Sequence, residues 1–171
     1  MSSVHLARYY SDNVLRLLVD NNFYPSNLLE KVCLRGNLFV ARELLELGVD
    51  QFEDTLDRCL EEFIYNPAEI TTEKIDILFL LQKYRTLSDF LEEGTSALIR
   101  RHIARAADGD FTAALKVLLL KSQNPKRLQD LARLTVRRHL RRDGNTSIHQ
   151  AAAQLPLPVQ VLMFLQTGEL T

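Results

Sequence analysis

The sequence predicts an all-helical chain, and three observations carry that expectation. Glycine and proline together number only 11 in 171 residues, about half of average usage, which is too few for a turn-rich all-β fold or for disorder. Apolar residues recur at steps of three and four in short runs of about 8 to 14 residues, the period of amphipathic helices. No segment reads as a convincing isolated strand. Hydrophobic residues at 46% and charged residues at 25% fit a globular chain of one domain, or one domain with a small appendage.

The elements follow in order. The first helix is expected over Leu6–Val19, where DNVLRLLVDNN places Leu17 and Leu18 together. Ser26 opens a second helix over Asn27–Arg35 as an N-cap. A third covers Phe39–Leu47 and stops at Gly48, the place for a C-cap glycine. A fourth runs over Phe52–Tyr65. After the turn Asn66-Pro67, Thr72 caps a fifth over Glu73–Lys83. Ser96 and Asp110 are the expected caps of helices over Ser96–Ala107 and Thr112–Lys121. Beyond Pro125, helices are expected over Lys126–Leu140, Ser147–Ala153 and Val159–Gln166. The step Leu155-Pro156-Leu157-Pro158 between the last two excludes helix, because two prolines in four residues force extended backbone.

Composition excludes several function classes. Net charge is −1 and pI is about 6.4, so bulk charge names no nucleic-acid or anionic-membrane partner. No window approaches 18 consecutive apolar residues, and MSSVHLARYYSDN lacks a signal peptide's apolar core. These features predict an intracellular chain, cytoplasmic and with the nucleus open to it. The two cysteines, Cys33 and Cys59, lie in apolar-periodic segments and read as buried free thiols. No CxxC or Cys/His cluster suggests a metal. Charge is divided along the chain. Arg42 to Glu93 holds 14 acidic and 5 basic residues, whereas Gly94 to Arg142 holds 3 acidic and 12 basic. Most of these charges are expected on solvated helix faces.

Two segments share one shape. GNLFVARELLELGVD (Gly36–Asp50) and GDFTAALKVLLLKSQ (Gly109–Gln123) each run glycine, polar, apolar, then a helix with a paired leucine step. Leucine pairs at 17–18, 44–45, 80–81 and 118–119 are spaced by 27, 36 and 38 residues. This pattern resembles ankyrin repeats, with Ser26–Arg35 as the first helix of a unit and Ser26-Asn27-Leu28-Leu29 where that family has Thr-Pro-Leu-His. The Pro and His of the motif are absent. The resemblance implies three or four stacked helical hairpins over residues 1–124, sharing a continuous core. The Phe52–Glu62 and Asn66–Thr72 region stands as an insertion.

The C-terminal segment, 125–171, differs. Leu128, Leu131, Ala132, Thr135, Val136 and Leu140 share one helix face, with Arg133, Arg137, Arg138 and Arg141 beside or opposite it. The segment resembles a suppressor-of-cytokine-signalling (SOCS) box. That family's elongin-binding element reads Leu, three residues, Cys, three residues, aliphatic, which falls here on Leu128, Ala132 and Val136, with Leu131 in register. Its cullin-binding element falls on Leu155, Pro156, Leu157, Pro158, Val161, Phe164 and Leu165. Ala132 stands where the family has Cys, which implies weaker elongin C binding without abolishing it. The competing reading of Leu128, Leu131 and Val136 is a helical cap packed on the preceding repeats. The run Arg137-Arg138-His139-Leu140-Arg141-Arg142 lacks interleaved aromatics and reads as a solvated face or an acidic-protein contact, not a nucleic-acid site.

No phosphate loop, GxSxG, HExxH or nucleophile constellation is present. The histidines His5, His102, His139 and His149 are scattered. The sequence therefore predicts an all-α fold, a short ankyrin-like hairpin solenoid capped by a three-helix SOCS box. The resemblance implies a non-catalytic adaptor without cofactor. Its partners would be elongin B, elongin C and a cullin with its RING protein: cullin 5 by the Leu-Pro-Leu-Pro step, with cullin 2 left open. The repeats would hold an unknown protein substrate. The acidic stretch Arg42–Glu93 points to a basic substrate segment. The alternative is a stand-alone helical interaction module with no ligase link.

Overall fold

The periodic segments become ten α-helices in a computed structural model that describes residues 12–21, 23–49, 55–85, 91–124, 126–142 and 147–167. They are α1 (Asp12–Asp20), α2 (Leu28–Leu34), α3 (Leu38–Leu47), α4 (Thr55–Tyr65), α5 (Thr72–Tyr84), α6 (Glu93–Arg105), α7 (Asp110–Gln123), α8 (Leu128–Arg142), α9 (Ile148–Ala153) and α10 (Val159–Thr167). A 3-10 turn, Pro67–Glu69, precedes α5. No strand occurs among the described residues. None of the described helices is long and apolar enough to cross a membrane. Residues 6–11 of the expected first helix, the beginning of the fourth at 52–54, Pro125, the turn at 143–145 and His5 lie outside the described residues.

Helix ends differ from expectation where packing or a neighbouring hydroxyl decides them. Thr71, one residue before the expected cap, accepts the Lys74 amide at 3.3 Å and caps α5. Ser96 lies inside α6, which starts at Glu93 and buries the adjacent Thr95. Asp110 is the first residue of α7 and follows Gly109, where its carboxylate complements the helix dipole instead of capping.

Two glycines end helices as the sequence pattern asks. Gly36, at φ 76°, follows α2, and Gly48, at φ 90°, follows α3. The Gly36 amide donates to Cys33 and the Asn37 amide to Val32. After α3 the Gly48 amide donates to Leu45 and the Val49 amide to Leu44. Both are Schellman closures, which place a left-handed residue one step past the helix.

The helices form two compact units. One draws on Glu30–Leu38 and Gln51–Arg127. In it, α4 and α5 pair, α6 and α7 pair, α4 packs on α6, and α5 packs on α7. First helix lies on first helix and second on second, so two hairpins share one core. That core buries Leu56, Leu60, Phe63, Ile77, Leu78, Leu81, Ile99, Leu115 and Leu118, each contributing about 1.5–3 kcal/mol. Cys33 and Cys59 are buried free thiols, as their apolar context predicts. Their hydrogen bond and their burial hold the Cys59 thiol far above its usual pKa. Asp57 is also buried here, paired with Arg85 at 2.9 Å and accepting the Glu92 amide at 3.2 Å.

The second unit draws on Met1–Leu29, Phe39–Asp50 and Leu128–Thr171. Helices α8, α9 and α10 pack on one another in every pairing. Their buried residues include Leu134, Ile148, Ala152 and Leu165. Helix α3, the clearest repeat helix in the sequence, belongs to this unit.

Candidate functional site

Helix α8 is amphipathic, but its faces are used in the reverse of the ordinary sense. Leu128 is 83% exposed, and Leu131, Ala132, Thr135 and Val136 are exposed beside it. At 100° per residue these five fall on one stripe. The opposite stripe, Arg133, Leu134 and Arg137, is buried, with Arg133 at 2% and Arg137 at 5% exposure. The arginines at these two positions are therefore not the solvated face that periodicity suggests.

Each buried guanidinium has a specific environment. Arg133 stands over the Phe164 ring at 5.9 Å, a cation–π contact between α8 and α10. Arg137 reaches the last turns of two other helices. It donates to the Leu165 carbonyl at 2.7 Å and the Gln166 carbonyl at 2.8 Å on α10. Its other amino group donates to the Leu45 carbonyl and, at 3.4 Å, to the Glu46 carbonyl on α3. The last carbonyls of a helix lack intrahelical donors and carry the negative end of its dipole. One cation thus closes two helix C-termini. The flat fork of arginine makes this possible where a lysine would supply a single point.

Helix α9 is set by polar contacts. The Ser147 hydroxyl accepts the Gln150 amide at 3.3 Å as N-cap. Asp20, at the end of α1, accepts the Ser147 amide at 3.3 Å and the Gln150 side chain at 2.9 Å. Ile148 of α9 packs close against Gly48, where an added Cβ would fall 2.6 Å from its Cδ1.

The Leu155-Pro156-Leu157-Pro158 step is non-helical, turns with the Leu157 amide donating to the Leu155 carbonyl at 2.8 Å, and leads into α10. The Pro158 carbonyl accepts the Val161 amide at 2.9 Å and the Leu162 amide at 3.1 Å, which starts the helix. Pro156, Leu157, Pro158 and Val161 are exposed, while Leu155 and Phe164 are half-buried. Leu165 is buried. The structure therefore presents two apolar surfaces on one three-helix body, the exposed stripe of α8 and the proline step with the start of α10.

The comparisons agree with this segment. Residues 124–166 match the family model of the SOCS box. As a family, SOCS boxes are the elements through which non-catalytic adaptors join elongin B/C–cullin ubiquitin ligases. No curated relative and no solved structure matches the chain. Within the matched residues the sequence pattern located the exposed apolar stripe of α8 but missed Arg133 and Arg137 on its buried side, and it missed Asp20 as the acceptor at the start of α9. The available signal was the spacing of Arg133 and Arg137, one turn apart on the side facing away from Leu128.

His102 packs edge-on against Phe111 at 5.6 Å between centroids. His139 is exposed, and no group of three His, Cys, Asp or Glu could hold a metal among the described residues.

Proposed function

We propose that the chain is a substrate-recognition adaptor of an elongin B/C–cullin 5 RING ubiquitin ligase. Residues 125–171 act as the recruiting box and residues 1–124 as ankyrin-like hairpins that hold the substrate. The observation that carries the reading is the exposure of Leu128, Leu131, Ala132 and Val136 on α8. A helix serving only to seal a solenoid would bury that stripe. Here the fold spends its buried side on two arginines and leaves the apolar side for a partner.

Leu128 is the main anchor into an elongin C pocket, worth on the order of 2 kcal/mol or more on truncation. Leu131, Ala132 and Val136 extend the same contact. Pro156 and Pro158 fix the chain so that Leu155, Leu157, Val161 and Phe164 meet the cullin, while Leu165 seats α10. The stacked pairing of α4–α5 with α6–α7 supports the repeat reading, since each hairpin completes its neighbour's core. Chemistry belongs to the partners. This chain supplies proximity by raising the effective concentration of substrate at the ligase.

Co-expression with elongins B and C tests the reading. The wild-type chain should co-purify with both, and Leu128→Ser should abolish the association. Failure of the wild type to associate would sink the proposal and leave a stand-alone interaction module. Retained cullin 5 binding in a Pro156→Ala, Pro158→Ala double variant would refute the cullin assignment.

A further inference from the structure

The hairpin α6–α7 carries an apolar groove that the fold leaves open. Ile103 and Ala104 of α6 and Leu119 and Leu120 of α7 line a shallow space of about 390 Å³, with Arg100 and Lys116 at its margins. The spacing explains why these residues meet. Residues 100, 103 and 104 share one stripe of α6, and residues 116, 119 and 120 share one stripe of α7. Helix α7 buries its other side through Ala114, Leu115 and Leu118. Its outward side should therefore be polar, yet Leu120 is 61% exposed and Val117 is exposed next to it. Isolated exposed leucines are ordinary, but here apolar side chains from two paired helices lie together along one shallow groove.

The charge around the strip names the partner. The groove lining contains no carboxylate. Arg101, Arg105 and Lys121 add to the cations of the same two helices, whose only acidic residues are Glu93 and Asp110, each at a first helical turn. Asp108 pairs with Lys116 at 3.2 Å, but both side chains are exposed. Such a surface pair is weak and exchanges readily for a partner's carboxylate. A larger cleft of about 580 Å³ near His102 mixes Arg105 with Asp110 and selects no charge. The acidic run Arg42–Glu93 points toward a basic segment, but this groove has the opposite preference.

We propose that the α6–α7 groove docks an acidic amphipathic helix of the substrate protein. Apolar residues at one-turn spacing would lie on Ile103, Leu119 and Leu120, and flanking Asp or Glu would meet Arg100 and Lys116. The word substrate rests on the adaptor reading; the docking itself does not.

The test is fluorescence anisotropy on the full chain with a labelled helical peptide of about 16 residues, leucines on one stripe and glutamates between them. Controls carry lysine for every glutamate, or the same composition with the leucines scrambled off the stripe. The acidic amphipathic peptide should bind at least about tenfold more tightly than either control. Leu120→Glu and Arg100→Glu should each weaken it by about tenfold or more. Both positions are exposed, so their melting curves should match wild type. Absent binding, equal binding of a control, or an unchanged Leu120→Glu would overturn the proposal. So would sedimentation showing a wild-type dimer that Leu120→Glu dissolves, which would assign the groove to a second copy. Leu128→Ser should bind the peptide as wild type does while losing elongins. Peptide binding by a wild-type chain that ignores elongins would refute the adaptor reading alone.

Discussion

The Arg137 guanidinium donates to the Leu165 carbonyl at 2.7 Å while its second amino group reaches the end of α3 at Leu45. Removing it takes a charged donor from four helix-end carbonyls, of which Leu45 alone keeps a backbone donor, the Gly48 amide, among the bonds described above. Hydrogen bonds to a charged group contribute about 1.5–3 kcal/mol each, without full additivity. Arg137→Met should therefore lower unfolding free energy by at least about 3 kcal/mol in urea titration. Arg137→Lys should recover only part of that, since one ammonium cannot serve two helix ends. Equal stability of Arg137→Met and wild type would contradict the double cap.

The helices were legible because apolar periodicity is local. Each of the ten expected segments overlaps one described helix, with ends that differ by up to three residues over the described parts, and Gly48 stops α3 where its sequence context says it should. The exposed stripe of α8 was legible as a motif. What holds it was not. Periodicity assigns arginine to solvent, and nothing near Arg137 in sequence shows that carbonyls at 45 and 165 will converge on it. Asp57 is hidden for the same reason, as one acid among 14 in a charged run. The expected leucine pairs divide too: Leu44 and Leu45 are both buried, whereas Leu17 is exposed.

Gly48 has two reasons to be glycine, and they can be separated. Its φ of 90° costs an L-residue about 1–2 kcal/mol. A Cβ would also crowd Ile148, adding about 1–3 kcal/mol of overpacking. Gly48→Ala should destabilise by about 2–5 kcal/mol on these terms. In a double-mutant cycle, Gly48→Ala with Ile148→Ala should cost at least about 1 kcal/mol less than the sum of the single changes. Gly36→Ala should cost only the backbone part, because its nearest contact is the flexible Lys74 side chain at 3.1 Å. Strict additivity at Gly48 and Ile148 would show that backbone strain alone acts there.

Asp57 and Arg85 form a buried ion pair at 2.9 Å. Breaking it from one side leaves a desolvated charge. Asp57→Ala should cost about 3–5 kcal/mol, and replacing both partners by leucine should cost much less. Equal penalties for the single and double changes, measured by chemical denaturation, would mean that the pair does not act as a unit.

Cys59 supplies a pH signature. Its folded pKa is raised from the usual 9.0 by the hydrogen bond with Cys33 and then by burial. Its contribution is fully present below the unfolded pKa and is lost as pH rises toward the folded value. Above pH 9 stability should fall by about 1.4 kcal/mol per pH unit from this thiol. Other groups titrate in the same range, so the comparison is with Cys59→Ala, whose slope above about pH 9 should be shallower by that amount. Identical slopes would remove Cys59 from the alkaline transition.

Ala132 separates a partner-facing helix from an internal one. It is exposed beside Leu128, so a larger side chain there meets solvent in the free chain. Ala132→Cys should leave the unfolding midpoint unchanged. In an elongin C pocket the added sulfur would be buried, a gain comparable to one methylene, about 0.8 kcal/mol. That corresponds to about fourfold tighter binding in calorimetry with elongins B and C. Leu128→Ser should lose about 2 kcal/mol or more of binding on the same free-state stability. The two substitutions thus move affinity in opposite directions while leaving the fold alone. A shift in unfolding midpoint without a change in elongin affinity would place this stripe inside the protein's own core, and α8 would then be a structural helix with no recruiting role.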